Sequence, residues 1–337
     1  MIPIALFGNA SLASLLTLAA ALAPAVVAWW NDRRLLGKGD DPALPELLAD
    51  RRRRNVRAVA IGIAVVVVVG GSDAVWGIPL LLALLIAAAY PLRTRLLGET
   101  WGFGAYVWRT MASIAGGFGF WIALAYVPII VERIVDSVGM TRAWLVVAIS
   151  LAVVALLFAW EAWYPRLWIW AHAGERLTSP ELTTRFDEVV RKAGTIVPTV
   201  YRVGPQGSRF VNAVALPSVR RPSIALGNAL LELLDADETV AVFAHEVAHF
   251  DHFTTRRMRR ARLLNRALIV IGAALPLVAA FTHLAWVPWI GWVWPVLVLV
   301  ALARRAGKGQ QHETESDLRA AALCGDPEAL VRGLVKL

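Results

Sequence analysis

Seven apolar blocks decide the environment of this chain before any motif is considered. They run about Ala5–Trp30, Val56–Gly70, Ala74–Tyr90, Met111–Val131, Ala143–Trp163, Leu264–His283 and Trp286–Ala303. A helix crossing about 30 Å of hydrocarbon needs roughly 20 apolar residues, and most of these blocks come close to that. The second is short, and with the third it can form a re-entrant hairpin around "GGSD". The parity of the topology is the same either way. No small-residue cleavage pattern marks the first block as a removable leader. The chain is 58% hydrophobic, with a mean hydropathy of +0.59, where soluble domains hold about 45–50% apolar residues. Tryptophans sit at or near the block ends (Trp29, Trp30, Trp160, Trp163, Trp168, Trp170, Trp286, Trp289). An apolar ring whose N–H still needs a partner favours that position. The fold class expected is a mainly α, polytopic membrane protein, not a soluble helical protein with a large core.

Charge orients the blocks. Arg33, Arg34, Lys38, Arg51 to Arg54 and Arg57 follow the first, Arg93 and Arg95 the third, "RRMRRAR" (256–262) precedes the sixth, and Arg304, Arg305 and Lys308 follow the seventh. The intervening "GGSD" and "THLAWVP" loops carry no Lys or Arg, while the Glu132–Arg142 loop carries two. The positive-inside rule then puts the odd-numbered loops in the cytoplasm and the N-terminus outside. Topology and anionic lipid head groups account for the net charge of +9, so nucleic acid is not an expected partner. The single cysteine, Cys324, excludes an intramolecular disulfide and a Cys-rich metal site.

Chemistry is left to two polar pieces. In the first, Ser179 caps a helix that begins at Pro180 and stops at Gly194. "TVYRV", "RFVNAVAL" and "PSIALG" predict short strands. Asp235 or Asp237 then caps a helix through "VFAHEVAHFDH" (242–252). The expected organisation is a membrane region at 1–164, a small α+β zincin-like cytoplasmic unit at 165–262, two further spans at 263–303, and a terminal helix at 304–337.

Within 242–252, His245 and His249 are four residues apart and project from one helix face, about 5–6 Å apart at Cβ. They can share one zinc ion. Glu246 lies to the side, where its carboxylate can take the proton of a zinc-activated water attacking a peptide carbonyl, then deliver it to the leaving amine. The bland alternative is two partly exposed helix histidines. Catalytic zinc takes three protein ligands and keeps one position open. "QHETESDLRAAALCGDPEAL" offers Glu313, with Glu315 and His312 as alternatives on other faces of its helix. Asp317, four residues beyond Glu313, can accept an N–H from a ligand histidine and fix its tautomer. An acidic turn at a helix N-terminus is the bland reading of these carboxylates.

"HEVAH" followed after two spans by "ETESD", with "NAVA" (212–215) and "IALGNALLELL" ahead of them, resembles metallopeptidase family 48. That family comprises integral-membrane zinc peptidases, including CAAX prenyl endopeptidases and HtpX. The resemblance covers roughly residues 180–330, and seven spans are closer to the CAAX-type layout. It implies one zinc ion per chain, His245, His249 and Glu313 as ligands, Asp317 behind them and Glu246 as base. It also implies that the strand at Asn212 and Ala213 pairs with an extended substrate. Family members usually continue to a His/Arg element that helps stabilise the oxyanion, whereas the sequence reaches Leu337 shortly after Asp317. His252, His312 and Arg319 are the candidates for that role within it.

Other classes fit less well. A site-2-type intramembrane protease would bury the motif in an apolar span, yet Asp251, His252 and an arginine cluster follow it directly. A sensor-transducer would carry a large extracytoplasmic domain, and a transporter would carry ionisable residues in mid-span. A zinc-holding scaffold or chaperone of the same fold is the non-enzyme alternative. The expectation is a membrane-embedded zinc endopeptidase at the cytoplasmic face of a bacterial inner membrane, acting on membrane-associated or misfolded membrane proteins.

Overall fold

The computed structural model describes residues 12–39, 41–70, 74–138, 143–218, 221–282 and 290–336. Five helices come before the sheet: α1 (Leu12–Leu35), α2 (Leu44–Gly70), α3 (Ala74–Arg95), α4 (Phe103–Val138) and α5 (Ala143–Ala171). Then follow β1 (Glu175–Arg176), α6 (Pro180–Ala193), β2 (Thr199–Val203), β3 (Ala213–Leu216), β4 (Ser223–Gly227), α7 (Asn228–Leu233) and α8 (Ala236–His252). The chain closes with α9 (Thr255–Thr282), α10 (Ile290–Cys324) and α11 (Pro327–Lys336).

Among the described residues, five segments are long and apolar enough to cross a membrane: Ser14–Leu35, Trp76–Arg95, Phe103–Ile134, Ala143–Ala171 and Thr255–Val278. Five of the seven apolar blocks overlap them. The block at Val56–Gly70 is the later part of α2, which begins at Leu44 and carries Arg51 to Arg54 and Arg57 on the same helix. Three of the loops used to orient the chain lie wholly or partly outside the described residues (71–73, 139–142 and 283–289), as do the starts of the first and seventh blocks. That block continues into α10, which runs on unbroken through "ETESD".

The residues divide into two compact units, Met1–Ala112 with Gln206–Ser208, and Ser113–Pro205 with Arg209–Leu337. In the first, α1 packs on α2 and α3. Gly77 permits that approach, since a Cβ there would stand 2.5 Å from Thr17 and 2.7 Å from Val66. Arg51 grips both carboxylate oxygens of the buried Asp32. In the same unit, the buried Glu99 pairs with Arg93 and accepts from the indole N–H of Trp101, each at 3.0 Å.

The second unit carries the sheet, ordered β1-β2-β4-β3. β2 and β4 run parallel, and the outer pairs are antiparallel. β1, only two residues long, has no counterpart in the expected elements. β3 is an edge strand, and it is shorter than the "RFVNAVAL" stretch that predicted it. Gly227 lets the chain entering β3 approach closely, because a Cβ would lie 2.0 Å from the Phe210 carbonyl. α6 starts and stops as its sequence predicts: Ser179 accepts from the Leu182 N–H, and Gly194 takes a left-handed conformation at φ +66°. α6 and α8 clasp the core through Phe186 stacked on Phe243, 3.9 Å between ring centres. Ile224 and Leu226 of β4 and Ala320 and Leu323 of α10 complete this layer.

Candidate active site

α8 begins with a reciprocal cap. Asp235 accepts from the Glu238 N–H at 2.9 Å, and Glu238 accepts from the Asp235 N–H at 3.1 Å. Asp235, not Asp237, is therefore the cap; Asp237 pairs with Arg185 of α6. The helix is tightly seated because small residues alternate with large ones: Ala241, Phe243, Ala244, Val247 and Ala248 are all buried. α10 crosses it with the stripe Ser316, Ala320 and Leu323, spaced as one helix face, turned inward. The same stripe carries Glu313 and Asp317 to the histidines.

The resulting geometry is compact. His245 Nε2 and His249 Nε2 are 3.1 Å apart. Glu313 Oε2 lies 3.3 Å from the first and 3.7 Å from the second. Three ligands at zinc bond lengths of about 2.0–2.2 Å, placed on a tetrahedron, would be separated by about 3.3–3.6 Å. The triangle matches that edge length. Ligand atoms of His245, Glu246 and His249 also fall within 4.8 Å of one another.

The far nitrogen of each ring has a polar neighbour. Asp317 Oδ1 stands 2.8 Å from His245 Nδ1, an ion contact short of an aligned hydrogen bond. Ser316, fully buried, lies 3.1 Å from His249 Nδ1. An acceptor-only carboxylate keeps the proton on His245 Nδ1, and Ser316 can do the same for His249. Both Nε2 lone pairs then face one point together with a carboxylate oxygen, and only a proton or a cation satisfies such a convergence. Burial lowers the His249 pKa, and the neighbouring His245 lowers it further. Both influences hold the ring in its ligating, neutral form.

Glu246 is 7% exposed. Burial pushes its carboxyl up to about 8, the Ala215 backbone N–H opposes this by donating to it, and the nearby Glu313 adds to the rise. That hydrogen bond ties the site to the edge strand. Gly227 N–H donates to the Asn212 carbonyl at 2.8 Å. The antiparallel alternation then turns the backbone groups of Ala213 and Ala215 to the open edge. The Ala213 N–H is covered by the Asn212 side chain at 3.0 Å. A cavity of about 490 Å³ runs between this edge and α8.

All seven expected site residues (Asn212, Ala213, His245, Glu246, His249, Glu313 and Asp317) thus meet around one cavity or directly behind it. The alternatives for the third ligand separate: Glu315 turns to His252, 3.6 Å away, and the side chain of His312 lies outside the described residues. Of the oxyanion candidates, His252 lines the cavity, whereas Arg319 pairs with Asp251 at 3.2 Å. Ser316 and Ala215 were not anticipated. Ser316 had a signal, since it stands three residues after Glu313 and one before Asp317, on the same helix face.

Two histidines and a carboxylate converging beside a buried glutamate, on a helix flanked by an edge strand, define the metallopeptidase class. Residues 176–337 match Peptidase family M48. That stretch, from β1 through α8 to α11, is similar to this family of metallopeptidases. The chain is 26% identical over 200 residues to a protease HtpX homolog of Acidiphilium cryptum (strain JF-5), a match covering 55% of this chain and 69% of that protein. It is 30% identical over 168 residues to protease HtpX of Legionella pneumophila (strain Corby), covering 44% of this chain and 55% of that one. The crystal structure of S. mikatae Ste24p aligns with 97% of this chain and 92% of its own, at 15% identity and a TM-score of 0.40. With five membrane-competent helices, the chain is a multi-pass membrane protein.

Proposed function

We propose that this protein is a zinc endopeptidase that cleaves membrane-associated or misfolded membrane proteins, with its active site at the cytoplasmic face and its N-terminus outside. The observation that carries the reading is the 3.1, 3.3 and 3.7 Å triangle of His245, His249 and Glu313 beside Glu246. In this reading those three residues hold one zinc ion, which when bound supplies the charge that makes a water acidic and polarises the peptide carbonyl. Glu246 accepts the water's proton and returns it to the leaving amine. Its buried seat makes it a stronger base than a solvated carboxylate, and the Ala215 N–H holds it in place. Asp317 and Ser316 keep the ligand tautomers. The substrate lies extended along β3, pairing with the Ala213 backbone once Asn212 swings off the N–H it covers and donating to the Ala215 carbonyl, while the Ala215 N–H stays on Glu246.

The cytoplasmic orientation rests on charge. Five arginines between residues 256 and 262 stand where α8 gives way to the membrane-competent part of α9, and arginines concentrate on the cytoplasmic side. The lipid bilayer is then the protein's permanent partner, in a bacterial inner membrane if the host is bacterial.

The test uses the full chain purified in detergent, an unfolded protein as substrate, and zinc content read by elemental analysis. Cleavage requires zinc, stops with a chelator, and falls about 10²–10⁴-fold in Glu246→Gln, while that variant keeps one zinc per chain. Equal cleavage by Glu246→Gln, or a wild type that holds zinc and cleaves nothing, would sink the reading.

A further inference from the structure

The cavity beside the candidate metal site has two chemically different ends. His245, Glu246, His249 and Glu313 make one end polar. The other is walled by Leu230 of α7, Val242 of α8, and Leu330 and Leu334 of α11. Val242 lies three residues before His245, so this apolar pouch opens about one helical turn, roughly 5 Å, from the ligands. Leu330 and Leu334 are four apart and share the α11 face turned to it. Their seating differs. Leu330 is buried, whereas Leu334 is 54% exposed and stands at the rim.

α11 is held against α8 by charge as well as by packing. Lys336 Nζ lies 2.7 Å from Glu238 Oε2, and Arg332 Nε 3.9 Å from Oε1. Glu238 is the residue that caps back onto Asp235 in the first turn of α8, and it is only 1% exposed. Gly333 lies over Glu238 and Val242 without a side chain to hold the helices apart. The pouch wall is therefore anchored to the same helix that carries His245 and His249. Its depth is a fixed property of α11.

Resting on the peptidase reading above, we propose that this pouch receives the substrate side chain next to the scissile bond, and that Leu334 sets the largest side chain it admits. An extended peptide on the β3 edge turns alternate side chains to one face, about 6–7 Å apart. One of them meets the pouch when the neighbouring peptide bond faces Glu246. Four aliphatic walls select an aliphatic residue of leucine size. A charged side chain would lose its water there without gaining a partner.

The experiment takes the full chain in detergent with zinc and a set of peptides that differ at the positions flanking one cleavable bond, stepping through Gly, Ala, Leu, Phe, Trp and Asp. For the wild type, kcat/KM with Leu at one flanking position exceeds that with Gly or Asp by about 10-fold or more. Leu334→Ala moves the optimum to Phe or Trp, and Leu334→Trp moves it to Ala, each changing the Leu-to-optimum ratio by about 10-fold. Val335→Ala, on the exposed side of α11, keeps the wild-type order. Zinc content and melting temperature stay level across the series, so a shift in preference cannot come from a damaged fold. Active variants that all share the wild-type order would overturn this assignment and leave the peptidase reading standing. A wild type that holds zinc yet cleaves no peptide in the set and no unfolded protein overturns both.

Discussion

Asp32 and Glu246 are both buried carboxylates, and the protein treats them in opposite ways. Asp32, in the first unit, meets a guanidinium head-on: Arg51 donates to both its oxygens. Glu99 in the same unit has Arg93, and Glu238 at the start of α8 has Lys336 and Arg332. Glu246, two turns further along α8, has no Lys or Arg among the described residues. It receives one backbone N–H, and Glu313 stands near it with the same charge. A carboxylate serving the fold brings its counter-charge with it, because an unpaired buried charge is costly. The cluster of His245, His249, Glu246, Glu313 and Asp317 is instead short of positive charge, a shortage that the divalent cation of the proposed function would make good. The contrast separates a carboxylate that holds structure from one that the proposed function gives to chemistry.

The largest effect expected from this contrast is on the metal-free protein. Glu246 has a folded pKa of about 8 against an ordinary 4.5, so the folded state holds a proton that the unfolded state releases. Its contribution is fully present below pH 4.5 and is lost as pH rises through about 8. The size is roughly 1.4 kcal/mol for each unit of displacement. Melting curves of chelated wild type and Glu246→Gln at pH 5, 7 and 9 should diverge, the wild type losing ground as pH rises. Histidine titrations are common to both and cancel. Parallel curves would mean that the burial of Glu246 has no energetic consequence. Next in size, Asp32→Ala leaves Arg51 without its partner and lowers stability by about 3 kcal/mol. Bound zinc should stay at one per chain. A neutral Asp32→Ala would erase the distinction between the two kinds of carboxylate.

Much of this was open to a sequence reader, for identifiable reasons. His245, Glu246 and His249 sit within one helical turn, so their meeting needs only a helix. The caps of α6 and α8 are equally local: Ser179, Pro180, Gly194 and Asp235 act within four residues. Glu313 and Asp317 could be proposed because only a few acidic helical residues follow the motif on the same expected side of the membrane. Features that depend on tertiary contact were less legible. β1 has two residues and exists through its pairing with β2, and no periodicity marks so short a strand. α10 continues from an apolar segment into the ligand-bearing turn without a cap or a breaker, so hydropathy alone divides it in two. Leu330 and Leu334 look like any amphipathic stripe until α11 docks on α8. The Ala215 contact to Glu246 is a backbone bond, carried by no side chain that could announce it.

Ser316 and Asp317 give the smallest expected effect and the most discriminating one. They adjoin in sequence, yet each faces a different ligand: Asp317 the His245 ring, Ser316 the His249 ring. Asp317→Asn removes a negative charge from beside the site and offers an amide that can donate as well as accept. Ser316→Ala removes a neutral acceptor from a fully buried position. Both should weaken zinc binding, within the 10–100-fold range typical of groups that orient metal ligands. Asp317→Asn should lie near the upper end and Ser316→Ala near the lower, because charge reaches the cation through the ring and a hydroxyl only fixes a tautomer. Competition with a metal-sensitive dye measures both without any substrate. If Ser316→Ala proved as costly as Asp317→Asn, ring orientation would outweigh charge in holding the ion. The shortage of positive charge would then be a weaker account of why these residues converge than the geometry of the two histidines.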